Sequence, residues 1–290
     1  MEINIEKELI IDKNKSLRFQ EIVDALHPYD ADIIYIGGSL VEGTISKISY
    51  GMGNKYSDID VFIIRKHNAF ESTDSVYNQG IKKTFFVDNF FVGLDVEVFD
   101  YDYINKLLTI LKNHKLNANE RSRNTLSNVI PEGGSFTLIN SFLNRLMYSI
   151  CIYNIEEYSR LKSEMNFKNF LSIKRSNFIA TTDNMYADVI GNMDNNQLDV
   201  AIICMRQVFM NVLNIVLATE DIFVDRDKWI PLKFRNFVHS SGKYMELWEA
   251  YLSLFYSDIR EEAHSRAVLE LAVKVTKKTL EDVLLGGLSL

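Results

Sequence analysis

This chain has few cysteines and few prolines, and its net charge is negative. Its 290 residues include two cysteines, Cys151 and Cys204, and three prolines. Because two cysteines cannot form a disulfide framework, we expect a cytoplasmic protein, and so few prolines argue against long irregular linkers. Lysine and arginine total 32 against 39 aspartates and glutamates, a formal net charge of -7. A protein that coats nucleic acid usually carries the opposite sign, so a nucleic-acid partner is disfavoured.

Long apolar runs and targeting signals are missing as well. No apolar run reaches the ~18 residues that a membrane-spanning helix needs, and the opening MEINIEKELIIDKNK is too acidic and mixed for a secretory signal. We therefore expect no membrane partner. The chain does have 47% hydrophobic and 24% charged residues, which is typical of a protein with a buried core. Its length suggests two domains at ~150 residues each.

Strand and helix patterns alternate through residues 1–116. Short apolar runs beside turn-forming residues predict strands, and apolar residues spaced three and four apart predict helices. In chain order, we predict a helix over 16–28, strands over 32–39 and 59–65, two strands within 82–99 that turn near residues 87–89, and a helix over 101–114. The mixture is typical of an α/β or α+β domain, and we favour α+β, with a mixed sheet flanked by helices.

Strand patterns disappear in the second part of the chain. Apolar stripes with helical spacing take their place, and they run through residues 135–154, 195–219, 243–259 and 260–285. We therefore predict that an all-helical bundle domain over residues 117–290 follows the α+β domain.

The most informative stretch, YIGGSLVEG, begins with two glycines at the end of a predicted strand. Gly37 and Gly38 allow a tight turn and a close approach of the backbone to a ligand. Ser39 follows at the start of a predicted helix, where backbone N–H groups and the helix dipole favour a bound phosphate. These residues predict a phosphate cradle at Gly38 and Ser39, with an ordinary tight turn as the alternative.

Carboxylates follow on the next predicted strands. Asp58 and Asp60 are two residues apart at the start of a strand, so strand alternation points both side chains to one face. A third carboxylate comes from LDVEVF, where Asp95 and Glu97 share a strand face and either could serve. Neighbouring carboxylates repel unless cations lie between them, and Mg²⁺ prefers oxygen ligands together with substrate phosphates. Three carboxylates beside a phosphate cradle are what two-metal phosphoryl or nucleotidyl transfer requires.

Each of these carboxylates also has a plainer interpretation. Asp58 and Asp60 could cap a solvated loop, because Ser-Asp-Ile-Asp is a turn-like sequence. Asp95 could be an ordinary charge on a strand face, and Glu97 could accept a salt bridge or orient a ligand.

The order of these motifs resembles the DNA polymerase β-type nucleotidyltransferase superfamily. The resemblance covers residues 20–100 and rests on the apolar strand, Gly-Gly-Ser, Asp-x-Asp and a later apolar-Asp-apolar strand. It implies that Asp58, Asp60 and Asp95 are catalytic. It also implies that these residues, with Glu97 as the rival of Asp95, bind two Mg²⁺ ions, and that the substrate is ATP or another nucleoside triphosphate. One departure is the spacing of eighteen residues between Ser39 and Asp58, which is longer than the family's usual gap. We predict that its insert GTISKISYGMGNK, residues 43–55, forms an extended loop over the site.

Within that superfamily the layout is most similar to the aminoglycoside adenylyltransferases, in which a helical domain follows the nucleotidyltransferase domain. The order of LDVAIICMRQVFMNVLNIVLA, VDRDKW and WEAYLSLF resembles that helical domain. The resemblance implies that residues 117–290 contribute to the nucleotide and acceptor pocket. Lys228 would then contact the nucleotide phosphates and Tyr251 would lie near the nucleotide, while Ser57 would join the phosphate cradle in binding it. A solvated lysine and a core aromatic are the alternatives for Lys228 and Tyr251.

The activity that this resemblance implies is Mg²⁺-dependent nucleotidyl transfer. A nucleoside monophosphate, with AMP from ATP favoured, would move onto a hydroxyl of a small molecule such as an aminoglycoside-like or natural-product acceptor. Two alternatives stay open. One is transfer to a protein or tRNA acceptor, as in toxins or regulators, and the other is a catalytically inactive module that binds nucleotide.

Overall fold

The computed structural model describes residues 2–4, 8–12, 15–54, 56–88, 90, 92–115, 129–258 and 261–286. The chain divides into two compact units. The first consists of Met1–Asn117 with Thr125–Asn169, and the second contains Phe170–Leu290. The predicted boundary between residues 116 and 117 lies outside the described residues. The fold class is α+β, as predicted, with a mixed sheet in the first unit and helices throughout the second.

A small antiparallel sheet, which the sequence patterns do not predict, opens the first unit. Its strands are β1 (Glu2–Asn4), β2 (Glu8–Asp12) and β3 (Lys15–Arg18), in that order. Leu9 and Leu17 are register partners on β2 and β3, and both are buried. Every second residue is apolar over only a few positions here, which is too short a pattern for a confident strand prediction.

The large sheet has six strands in the order β6-β7-β8-β5-β4-β9. Its central pair, β5 and β8, is parallel and the other pairs are antiparallel, so the sheet is mixed. The strands are β4 (Ile33–Gly37), β5 (Ile59–Arg65), β6 (Tyr77–Asn78), β7 (Lys82–Val87), β8 (Leu94–Asp100) and β9 (Ile150–Tyr153). β5 is apolar at most positions and buried nearly throughout, as expected for a strand covered on both faces.

Helices cover this sheet and complete the core of the first unit. They are α1 (Phe19–Leu26), α2 (Gly38–Ile45), α3 (His67–Glu71), α4 (Tyr101–Asn113), α5 (Phe136–Met147) and α6 (Ile155–Glu164). α1 buries one stripe, whose Ile22 packs into a cluster with Ile36 of β4 and Val61 of β5. α4 begins at a side-chain cap, because the Asp100 carboxylate accepts a hydrogen bond from the Asp102 backbone N–H.

The segment 135–154 corrects the prediction that strands end before the helical domain. Only its first part is helical, as α5, and Ile150–Tyr153 forms β9 instead. β9 pairs antiparallel with β4, with Cys151 opposite Tyr35, and so closes one edge of the large sheet. The β-branched residues of ICIY favour a strand once a partner edge is present. The sheet therefore takes one strand from beyond the predicted boundary.

The second unit is helical, as predicted for this part of the chain. Its helices are α7 (Phe167–Asp194), α8 (Leu198–Thr219), α9 (Ile230–Ser241), α10 (Met245–Tyr256) and α11 (Glu262–Gly286). α8 buries residues on nearly all sides of its second half. Among the described residues it is the one helix long and apolar enough, by length and composition, to cross a membrane, which corrects the expectation that no stretch qualifies. Within that apolar window 61% is buried, as in the core helix of a bundle.

Candidate active site

The topology of the large sheet brings three motifs together at one edge. Asp60 on β5 is the register partner of Gly37, the last residue of β4, and of Asp95, the second residue of β8. Register partners on neighbouring strands project to the same face. Asp60 and Asp95 therefore share a face beside the glycine turn, as the sequence predicted. By strand alternation Glu97 belongs to the same face.

Gly38 begins α2 directly against the Asp60 carboxylate. Its φ is +74°, in the left-handed region that side chains disfavour. A Cβ placed on Gly38 would overlap the carboxylate group of Asp60. Two separate features therefore require glycine at position 38: its left-handed backbone conformation and its close approach to the Asp60 carboxylate. Ser39 follows in the first turn of α2 and is half-buried.

Asp95 has an unusual electrostatic environment. Its Oδ1 is buried and has no hydrogen-bond partner among the described residues. Burial raises the pKa of the Asp95 carboxyl above its ordinary value, and the negative charges of Glu97 and Asp58 raise it further, while Lys82 and Arg145 oppose the shift. Buried polar atoms are paired in most native proteins. An unpaired carboxylate oxygen of this kind is a candidate for ligand binding or proton transfer.

Glu97, the rival of Asp95, has a protein partner instead. Lys82 Nζ on β7 lies 2.9 Å from Glu97 Oε1, and both side chains are largely shielded from solvent. The salt bridge that the sequence analysis kept as an alternative for Glu97 is therefore present. Of the two candidates for the third carboxylate, Asp95 is the one with a buried oxygen that lacks a partner among the described residues.

Asp58 differs from the other two aspartates in its exposure. It is exposed, and its Oδ1 lies 3.6 Å from the position that a Cβ on Gly93 would occupy. Among the residues the structure describes, no group of three or more histidine, cysteine, aspartate or glutamate side chains is arranged to hold a metal ion. Ser57, just before it, closes a turn in which its Oγ accepts a hydrogen bond from the Asn54 backbone N–H at 3.1 Å.

The insert between Ser39 and Asp58 packs on α2 and is not the extended loop that we predicted. α2 continues to Ile45, a 3₁₀ turn follows at Lys47–Ser49, and the chain then returns along the helix. Met52 is buried, and a Cβ on Gly43 would lie 2.5 Å from the Met52 carbonyl oxygen. Gly43 and Gly53 permit this close packing, whereas the sequence pattern predicts an extended loop.

Glu42 holds the insert in place, and sequence reasoning missed it. Its carboxylate is buried within α2, where it accepts hydrogen bonds from Ser49 Oγ at 2.7 Å and from Asn144 Nδ2 at 3.1 Å. These bonds connect the glycine-led helix to the 3₁₀ turn and to α5. No signal in the sequence distinguishes this glutamate from a solvated one, because its partners are 7 and 102 residues away.

The two predicted nucleotide contacts of the second unit have different environments. Lys228 is exposed, and its Nζ lies 4.9 Å from the centre of the Trp229 ring. Tyr251 is 3% exposed and stacks between Trp248 and Phe255, with ring centres 5.1 and 4.5 Å away. Burial also raises the pKa of Tyr251. Its position favours the core-aromatic alternative, while the role of Lys228 stays a prediction.

No protein-family model matches this chain, and no curated protein matches it in sequence. The resemblance to the nucleotidyltransferase superfamily therefore stays a prediction that rests on the motifs and on the geometry of the sheet edge.

The raised pKa of Asp95 gives a testable pH dependence in the absence of metal. A carboxyl group whose pKa is higher in the folded than in the unfolded chain lowers stability above the folded pKa, and this penalty disappears as the pH falls below the unfolded value. We expect Asp95→Asn to unfold at a higher urea concentration than the wild type at pH 7. The difference should shrink on acidification toward the ordinary pKa of 3.8.

Urea titrations in a metal chelator from pH 7 to pH 4 test this, with the exposed Asp74→Asn as the matched control. The control should follow the wild type at every pH. A lower stability of Asp95→Asn at pH 7 would mean that the charged side chain stabilises the fold, contrary to its burial.

Proposed function

We propose that this protein is a Mg²⁺-dependent nucleotidyltransferase that moves a nucleoside monophosphate, with AMP from ATP favoured, onto a hydroxyl of a small molecule. One observation carries the proposal. Asp60 and Asp95 lie in register on adjacent parallel strands, with Gly38 packed against one carboxylate and an unpaired buried oxygen on the other. Neighbouring carboxylates repel one another unless cations or hydrogen-bond donors compensate their charge, and the backbone N–H groups at the start of α2 are suited to bind phosphate.

The donor set at this edge fits Mg²⁺. It consists of carboxylate oxygens, which hard divalent cations prefer, and one of them, Asp95 Oδ1, has no protein partner among the described residues. Asp60 and Asp95 would hold the cations together with Asp58, whose side chain is exposed and would turn toward them. Bound Mg²⁺ would supply charge neutralisation for the triphosphate and for the charge that develops during transfer.

The residues of the first unit have separate tasks in this proposal. The backbone of Gly38 and Ser39 at the start of α2 would bind phosphate oxygens. Asp95 would accept the proton of the acceptor hydroxyl, because its buried Oδ1 has no partner among the described residues. The hydroxyl oxygen forms a bond to the α-phosphorus, the bond from that phosphorus to the bridging oxygen breaks, and pyrophosphate leaves. Positioning and electrostatics dominate such a reaction.

A second candidate function is a nucleotide-binding module without catalysis. It is favoured by the exposed position of Asp58 and by the absence, among the described side chains, of a group already arranged around a metal. The two functions differ in outcome. The module would bind ATP without releasing pyrophosphate in any combination of Mg²⁺ and acceptor, whereas the enzyme releases it.

The phosphate cradle gives a direct test through Gly38→Ala. The added Cβ forces a left-handed alanine and displaces the Asp60 carboxylate, so we expect the affinity for α,β-methylene ATP with Mg²⁺ to fall at least about tenfold, or about 1.4 kcal/mol. Isothermal titration calorimetry measures it. Stability should also fall, by about 1–2 kcal/mol for the left-handed alanine and about 1–3 kcal/mol more for the overlap.

Gly80→Ala is the matched control for this substitution. Gly80 has nearly the same φ, +73°, but no described atom lies within 4 Å of the position of its Cβ. It therefore carries the backbone strain without the overlap and should bind the analogue like the wild type. Unchanged analogue affinity in Gly38→Ala would remove Gly38 from the proposed cradle.

A further inference from the structure

A pocket of about 310 Å³ lies beside the carboxylates and is built largely by the insert. We call it the insert pocket. One face of α2 lines it with Leu40, Gly43 and Thr44, and the remaining walls are residues 50–54, Ser57 and Val92. This volume lies at the lower end of the range for small-molecule sites, about 300–1,000 Å³.

Two residues of the pocket lining are chain neighbours of residues at the proposed active site. Ser57 precedes Asp58 in the chain, and Val92 precedes Gly93, next to which the Asp58 carboxylate lies. A molecule seated in the insert pocket therefore has one end close to the carboxylate edge of the sheet. Glu42 fixes this wall, because its bonds to Ser49 and Asn144 hold α2 and the insert together.

The described walls of the pocket carry no charged side chain. Leu40, Met52 and Val92 are apolar, whereas Thr44, Asn54 and Ser57 are polar and neutral, and Tyr50 contributes an aromatic ring that is 76% exposed. Uncharged walls do not repay the desolvation of a polycation. An exposed tyrosine ring at the rim is suited to stack on another planar ring.

Two polar side chains of the pocket, Asn54 and Ser57, have hydrogen-bond donors to offer. Asn54 Oδ1 accepts a hydrogen bond from the Tyr56 backbone N–H at 2.9 Å, so the amide presents its Nδ2 donors to other partners. Ser57 Oγ accepts from the Asn54 backbone N–H, so its hydroxyl proton is the group it can donate. The Thr44 hydroxyl already donates to the Leu40 carbonyl. A ligand for these donors carries acceptors on its edge.

We propose that the insert pocket binds an uncharged heteroaromatic ring with hydrogen-bond acceptors on its edge. The inference deepens the proposed function, because such a ring is either the nucleobase of the nucleotide substrate or a ring of the acceptor. Both sources share one chemistry: a planar ring stacked near Tyr50 that accepts hydrogen bonds from Asn54 and Ser57. A polycationic aminosugar acceptor does not fit this pocket.

The test measures binding without phosphates and without Mg²⁺, so that it does not depend on catalysis. The probes are adenosine, guanosine, cytidine and uridine for the nucleobase, and uncharged hydroxyl-bearing pyridines and quinolines for an acceptor ring. Saturation-transfer NMR detects binding, and titration gives the affinity. Nucleoside binding assigns the ring to the nucleotide, and binding of the hydroxylated heterocycles alone assigns it to the acceptor.

Two variants locate the binding in the pocket. Thr44→Phe fills the pocket from α2, and we expect at least about a tenfold loss of affinity, or about 1.4 kcal/mol, because the added ring occupies the volume that the ligand needs. Its control is Ile45→Phe, at the exposed neighbouring position outside the pocket lining, which should stay within about twofold of the wild type. Asn54→Asp keeps the acceptor for Tyr56 and removes the Nδ2 donors, so it should also lose about tenfold or more.

The outcomes separate this inference from the proposed function. If none of the probes binds, or if Thr44→Phe and Ile45→Phe bind them equally, the pocket inference is overturned even where pyrophosphate release is normal. Preferential displacement of the rings by a cationic aminosugar also overturns it. Conversely, ring binding by a protein that never releases pyrophosphate upholds the pocket and refutes the enzyme.

Discussion

Asp60→Asn is expected to lower Mg²⁺-dependent pyrophosphate release from ATP by at least about 100-fold while the protein stays folded. This is larger than the ~10–100-fold that loss of an outer-shell partner of a metal typically costs, because Asp60 is proposed as a direct ligand. Asp60 lies between Gly37 and Asp95 in the sheet, so its carboxylate is central to the proposed site. Asparagine keeps nearly the same shape but removes the charge that a cation requires.

The control for Asp60→Asn is Asp74→Asn, because Asp74 is exposed and lies after α3, outside the strands β4, β5 and β8 that build the site. It should release pyrophosphate at the wild-type rate. Circular dichroism and urea unfolding of both variants show whether the fold is retained. Turnover by a folded Asp60→Asn variant at more than about a tenth of the wild-type rate would refute the assignment of Asp60 as a metal ligand.

The strands that build this site are also the part of the fold that the sequence predicted best. β5 spans Ile59–Arg65, as the apolar run IDVFIIR indicates, and β4 ends at the glycine turn where the sequence places it. These strands are buried on both faces, so their residues form continuous apolar runs with sharp ends. A local pattern is enough to identify such elements.

Elements that depend on distant partners could not be predicted in this way. The segment ICIY continues an apolar stripe with helical spacing, which predicts a helix. In the structure it pairs with β4, which lies more than 110 residues earlier in the chain, and Cys151 is opposite Tyr35. The insert is predicted to form an extended loop, whereas its Gly43 packs closely against Met52. The hydrophobic periodicity of one segment carries no information about a strand edge or a packing surface that a distant part of the chain supplies.

The choice between Asp95 and Glu97 shows the same limit inside the site. Both lie on one face of β8, so spacing alone leaves either as the third carboxylate. The deciding contact comes from β7, where Lys82 pairs with Glu97 across the sheet. The ion pair depends on the register between β7 and β8 and on the length of the lysine side chain. The sequence LDVEVF carries no information about either.

The largest expected effect on stability comes from the opposite end of the β4–β5 pair. Asp32, just before β4, is buried and accepts hydrogen bonds from the Arg65 guanidinium at the end of β5, with distances of 2.6 and 3.1 Å. The Tyr29 backbone N–H also donates to Asp32, at 3.0 Å. Arg65 itself is 6% exposed. Asp32→Ala therefore leaves a buried guanidinium without its counter-ion, which typically costs about 3–5 kcal/mol.

Urea unfolding measures this loss, with Asp30→Ala as the control, because Asp30 is exposed and only two residues away. We expect the control to stay within about 0.5 kcal/mol of the wild type. A loss below about 1 kcal/mol in Asp32→Ala would mean that water or another group replaces the carboxylate. The ion pair lies opposite the Gly37–Asp60 end in the antiparallel register. The folded fraction of Asp32→Ala should therefore still bind α,β-methylene ATP, which separates a loss of stability from a loss of the site.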